Sequence, residues 1–175
     1  REQHQMAINE TLLAEYDHEM GVTRKFIEHV PTDKLSWTPH PKSMPLGALA
    51  IHIIETQGWT VDTMRKDSFD VAPIDGPAYK APEYKTREEM LKAFDTNVKN
   101  ARQAIQETGD AEMMQPWSLL KAGVAMFTMP RVAVFRAFIL KHTVHHRAQL
   151  GLYFRLNDVP VPSSYGPSAD DAGGM

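Results

Sequence analysis

At 175 residues the chain is long enough for one domain with a buried core and short for two. Its 42% hydrophobic and 23% charged residues suit a globular protein, and no apolar run approaches the roughly 20 residues needed to span a bilayer. A net charge of −3 with scattered Lys and Arg argues against a nucleic-acid partner, and the lack of cysteine excludes disulfides, thiolate ligands and a cysteine nucleophile.

Between Gln3 and Val30, the residues Leu12, Leu13, Tyr16, Met20, Phe26, Ile27 and Val30 recur at steps of three and four, which predicts an amphipathic helix ended by Pro31. Residues 31–45 hold four prolines and read as an ordered loop. Ser43 as a cap, with Pro45 near the first turn, starts a second helix on which Leu46, Leu49, His52, Ile53, Thr56, Trp59 and Thr63 keep helical spacing to Lys66. Residues 67–85, with Pro73, Gly76, Pro77 and Pro82, are expected to form a long crossover loop. Thr86 and Glu89 match a capping box for a third helix that reaches Thr108 and stops at Gly109. Residues 110–127 are ambiguous, with Trp117 to Phe127 compatible with an extended or hairpin-like stretch. Thr128 and Pro130 open a fourth helix running to Leu156. The expectation is an all-α fold, a four-helix bundle with a long crossover connection, as a single domain over 1–160 followed by a Pro, Ser and Gly rich tail over 161–175. A less regular all-α arrangement satisfies the same pattern.

At 100° per residue, Phe135, Phe138, Ile139, His142, His145, His146 and Gln149 share one sector of the fourth helix, and His52 shares its face with Leu49, Thr56 and Trp59. These histidines are expected to point inward. A lone core imidazole is usually a hydrogen-bonded structural group, but several on one apolar face each need partners for two nitrogens. A shared divalent ion meets that need. Without cysteine its ligands must be His, Asp or Glu, and three neutral imidazoles suit zinc or nickel while leaving positions open for water or substrate. His142 and His146 stand four apart, the spacing that presents two nitrogens from consecutive turns, and His145 also lies within reach. Glu55, three residues after His52, is a candidate to orient the site or act as a base, against the simpler reading of a solvated helix residue. His4, His18, His29 and His40 are expected in surface roles, and Trp37, Trp59 and Trp117 as core anchors.

The segments "LSWTPHPKSMPLGALAIHIIE" (35–55) and "LKHTVHHRAQLGLYFRLNDVPVPSSYGPSADD" (140–171) are similar in content, order and separation to the DinB/YfiT superfamily of metal-dependent four-helix-bundle proteins. The resemblance implies that His52, His142 and His146 bind a divalent metal, with His145 matching a neighbouring histidine that many members carry and left as a candidate for moving protons. It also implies a homodimer. Some members are S-transferases or isomerases that use low-molecular-weight thiols such as bacillithiol and mycothiol, so the resemblance implies a metal-dependent enzyme, a hydrolase or thiol transferase, acting on a small molecule, with such a thiol as the candidate. A non-catalytic metal-binding or stress-response protein is the alternative, and a purely structural histidine cluster a third reading. No secretory leader is legible, the chain starts at Arg1 in a way compatible with removal of an upstream segment, and a cytoplasmic location is expected, with no membrane or nucleic-acid partner.

Overall fold

The computed structural model describes residues 6–171. Most of them are helical: α1 spans Ile8–Glu28, α2 Leu46–Arg65, α3 Arg87–Glu107, and a short α4 Asp110–Met113. A last long stretch comprises α5, Arg131–Val134, six residues of wider turns, Phe135–Leu140, and α6, Lys141–Leu156. Leu12, Tyr16 and Ile27 of α1, Leu49 and Ile53 of α2, Phe94 and Ile105 of α3, and Phe135, Leu150 and Phe154 of the last stretch are fully buried in one core. Removing each such side chain from water is worth about 1.5–3 kcal/mol, which is what holds helices with few cross-links together.

The helix starts are satisfied in different ways. The predicted start of the first helix at Gln3 lies outside the described residues; α1 begins at Ile8, whose N–H donates to Asp110 Oδ1 at 2.8 Å, while Ala7 N–H donates to the Glu10 carboxylate at 3.1 Å. Thr86 and Glu89 form the expected capping box on α3, each side chain accepting from the other's backbone N–H at 3.0–3.1 Å. Ser43 does not cap α2. The first two N–H groups of that helix, on Leu46 and Gly47, instead donate to the carbonyls of Trp37 (2.8 Å) and Leu35 (2.9 Å), so the proline-rich loop itself supplies the cap. The approach is close: a Cβ at Gly47 would lie 2.9 Å from Leu35 Cβ.

A small sheet corrects the all-α expectation. The stretch from Trp117 to Phe127 is a hairpin, as one reading of it had it, within β2, Pro116–Lys121, and β3, Val124–Pro130. Ala122 and Gly123, with φ of 52° and 74°, make its two-residue turn, the left-handed pair that matches strand twist. Inside the expected crossover loop, Ser68–Asp70 forms β1 and pairs in parallel with β2, giving the order β1-β2-β3. The Asp70 carboxylate accepts from Ala72, Ala122 and Gly123 N–H, which ties β1 to the hairpin tip and holds this carboxyl below the usual range. Thr128 therefore belongs to β3, and the last helix begins at Arg131 rather than at Thr128. Arg131 is buried and closes the end of α2, donating to Thr63 O at 2.6 Å, to Lys66 O and to Asp67 Oδ1 at 2.8 Å. Past Leu156 the chain folds back, with Val161 N–H and Arg155 both bonded to Asp170 and the Tyr165 hydroxyl reaching Glu19 on α1 at 2.9 Å.

Candidate metal centre

The wider turns of Phe135–Leu140 set where the histidines of the last helix face. A run of such turns takes more residues per revolution than the 3.6 of an α-helix, so a 100° projection carried from Phe135 through His146 loses phase. The buried positions of α6 are Thr143, Arg147, Leu150, Gly151, Tyr153 and Phe154, a face centred one residue further round than predicted. His142 and His146 consequently stand half-buried at the edge of the core face, while His145 is exposed. Phe138, expected inward, is 38% exposed and stacks on Phe127 of β3 at 4.5 Å between ring centres. His52, on α2, is half-buried as well, so the three lie at a rim rather than deep in the core.

There the three rings converge. His52 Nε2 lies 3.2 Å from His142 Nε2, which lies 2.7 Å from His146 Nε2, and one nitrogen from each of the three fits within a 4.8 Å span. The opposite nitrogens of the α6 pair are engaged. His142 Nδ1 meets the carbonyl of Phe138 at 3.2 Å and His146 Nδ1 meets Gln149 Oε1 at 2.8 Å. Both partners only accept, so each Nδ1 carries the proton and each Nε2 turns a lone pair toward the common point. Burial, followed by the neighbouring His146 and His142, pushes His52 down to about 4. Burial also lowers His142 and His146, opposed by their bonds to Phe138 O and Gln149. Each shift favours the neutral form of the ring, the form that ligates a metal. Two lone pairs facing each other at 2.7 Å are repulsive unless a proton or a cation lies between them, and the low proton affinity of the site favours the cation. Tetrahedral nitrogens about 2.0–2.1 Å from zinc would sit roughly 3.4 Å apart, close to the His52–His142 separation of 3.2 Å, while the His142 and His146 nitrogens, 2.7 Å apart, would have to spread by about 0.7 Å to hold such an ion.

The surroundings were less legible. Trp59 stands edge-on to His52 at 5.5 Å between ring centres and lies 6.0 Å from His142, so it belongs to the site and is more than the core anchor expected of it. Trp37 packs edge-on to Tyr153, and Trp117 is buried with its N–H on Asp62 O at 3.3 Å. Gln149, which orients His146, was placed on the histidine sector but given no role; its position three residues on, one helical turn away, was the available signal. Glu55 accepts from the hydroxyls of Tyr84 (3.1 Å) and Tyr79 (3.4 Å), which the crossover brings over α2, and none of the hydrogen bonds among the described residues joins it to a histidine. Burial first, then the Glu55 charge, pushes Tyr84 up to about 12. The ring of His145 stands 4.9 Å from that of His146 on the solvent side. His18 and His40 are exposed, His29 bonds Lys25 O at 2.7 Å, and His4 lies outside the described residues.

Residues 15–150 match the sequence model of the DinB superfamily. No curated protein matches the chain. Two solved structures share its fold: a DinB-like protein from Bacillus cereus, 21% identical over 91% of this chain and 98% of that one with a TM-score of 0.69, and a DinB-like protein from Bacillus subtilis, 14% identical over 88% and 96% with a TM-score of 0.67. Among the described residues no helix is long and apolar enough to cross a membrane.

Proposed function

Because this chain belongs to the DinB superfamily, we propose that it is a metal-dependent enzyme, a hydrolase or low-molecular-weight-thiol transferase, whose zinc or nickel ion is held by His52, His142 and His146. The observation that carries this reading is the convergence of three neutral imidazoles whose α6 members have their Nδ1 protons already engaged, leaving Nε2 lone pairs aimed at one point. A divalent ion with three nitrogen ligands and an open position lowers the pKa of water or a thiol brought to it, which yields a nucleophile at neutral pH.

The protein's own groups do the rest. Phe138 O and Gln149 hold the two α6 rings, and Trp59 walls the His52 side against water. His145, one ring outside His146, is the group that would pass protons between the site and solvent. Glu55 with Tyr79 and Tyr84 ties the crossover to α2 and would shape the entrance rather than act as base. In the finer fold reading, four long helices form a bundle to which the sheet is an addition, and the protein works in the cytoplasm as a homodimer. Leu152 (58% exposed) and Leu156 (55%), one turn apart on the outer face of α6, are side chains that such pairing would cover.

The test is metal content of protein purified without an affinity tag, followed by ester, amide, phosphate and thiol-transfer substrates with and without chelator. About one ion per chain, and chelator-sensitive turnover, are expected. Wild-type protein that neither carries nor takes up zinc or nickel would overturn the reading. A full ion complement with no turnover on any of these substrates would favour a binding protein without catalysis.

A further inference from the structure

Behind Trp59 lies a second feature. The sheet does not pack flat against the helices: an apolar cavity of about 130 Å³ separates them, bounded by Phe69 and Val71 on the β1 side, Trp117 and Leu119 of β2, and Trp59 and Phe138 from the helices. The spacing has a simple origin. Trp117 and Leu119 are two apart on a strand and so face the same way, and large rings at Trp59, Trp117 and Phe138 hold the layers apart where small residues would let them close. The polar side chains on this wall are engaged elsewhere. The Asp62 carboxylate pairs with Lys66 at 2.6 Å, the Thr63 hydroxyl donates to Trp59 O at 2.9 Å, the Trp117 N–H reaches Asp62 O, and the Tyr79 hydroxyl donates to Glu55. The wall is otherwise apolar and carries no cationic side chain, so an anionic guest would find no counter-charge and an uncharged apolar group gains most from burial there.

Its size is also selective. An engineered dry cavity of about 150 Å³ lined by apolar side chains takes up benzene, so a space of 130 Å³ matches one six-membered ring or a short branched alkyl group, and is too small for two fused rings without movement of the wall. Its position links it to the histidines. Trp59 lines the cavity and touches His52 and His142, and Phe138 lines it while its carbonyl holds His142, so cavity and triad are separated by the thickness of one side chain.

We infer that this cavity is a binding site for a single benzene-sized apolar group, and that the substrate is a small amphipathic molecule whose ring or branched alkyl end sits there while its polar end meets the triad once the Trp59 side chain that separates the two turns aside. The cavity stands on its own geometry; the placement of the polar end rests on the metal reading proposed above.

Two arms separate these parts. In the first, chelator-stripped protein is titrated with toluene and with naphthalene, followed by the fluorescence of Trp59 and Trp117 and by melting temperature. Saturable one-to-one toluene binding, a raised melting temperature and at least tenfold weaker naphthalene binding are expected, with toluene binding reduced at least tenfold by Leu119→Phe, which fills the cavity. Val71→Phe, at a half-buried position just past β1, gives the same answer should Leu119→Phe fail to fold. Absence of saturable toluene binding, or binding unchanged in the folded variants, overturns the site. In the second arm, zinc-loaded protein is offered benzohydroxamate and acetohydroxamate. Burying a ring of this size is worth about tenfold to a hundredfold in affinity, so the phenyl compound should bind that much more tightly, an advantage that Val71→Phe removes. Toluene binding with a protein that takes up no zinc leaves the cavity standing and refutes the metal, and toluene binding with neither hydroxamate bound to zinc-loaded protein refutes an open ligand position beside the cavity. Toluene binding with both hydroxamates bound equally refutes the single-molecule span.

Discussion

The ion pair of Arg147 and Glu19 is the most exposed to test of the structural features around the site. Arg147 follows His146, its side chain is 2% exposed, and its guanidinium donates to the Glu19 carboxylate at 2.7 Å, to Thr23 Oγ1 at 3.0 Å and to the Tyr165 hydroxyl at 2.8 Å. The Tyr165 hydroxyl in turn donates to the other Glu19 oxygen at 2.9 Å, so one network joins α1, α6 and the returning chain after α6. The pair as a whole competes with a large desolvation cost, whereas removing one member strands the other. Glu19→Leu strands a guanidinium that water cannot reach and should cost about 3–5 kcal/mol. Arg147→Met leaves a carboxylate that is 12% exposed and still bonded to Tyr165, and a thioether suits the Phe26 and Tyr165 rings that now flank the guanidinium, so a smaller loss of about 2 kcal/mol is expected. The double variant, with neither charge, should fall within about 1 kcal/mol of wild type. Urea unfolding of the four proteins, read by circular dichroism and tryptophan fluorescence, completes the cycle. If the double variant loses the sum of the two single losses, or if Glu19→Leu costs less than Arg147→Met, the argument from stranded buried charge is wrong here.

The choice between neighbouring histidines is checked by metal content: His146→Ala, like His52→Ala and His142→Ala, should lose most bound zinc, and His145→Ala should keep it, while equal loss in both 145 and 146 variants would contradict the geometry. Acidification gives a second measure. The folded-state values of His52, His142 and His146 lie below the unfolded value near 6.5, so the folded metal-free protein binds fewer protons; the stability tied to these groups is complete above about pH 6.5 and falls as pH drops toward about 4. A His52→Phe variant should show a shallower decline in melting temperature over that window, and an identical pH profile would refute the linkage. Light scattering at micromolar concentration should give a mass near twice the 19.8 kDa of one chain, and Leu152→Glu with Leu156→Glu should halve it; a wild-type mass of one chain would refute the dimer.

What was legible in the sequence is what depends on neighbours a few residues away. The amphipathic repeats of α1 and α2 and the capping box of Thr86 and Glu89 act within one or two helical turns, so local reading finds them. The four-residue step from His142 to His146 is of the same kind. Other features depend on groups distant in sequence or on an irregular turn that no local propensity announces. β1 has three residues and exists because Ser118 to Leu120, some fifty positions later, offer it a ladder. α2 begins where the carbonyls of Leu35 and Trp37 arrive, which made the Ser43 cap unnecessary. The wider turns at Phe135–Leu140 reset the phase of α6, moving His145 into solvent and leaving Arg147 to be buried against Glu19. His52 and His142, 90 residues apart, meet only because helix packing places two half-buried faces edge to edge. The residue types for a metal centre could thus be read from the chain, but the common point toward which their lone pairs turn is a property of packing, since it depends on the phase of one helix relative to another.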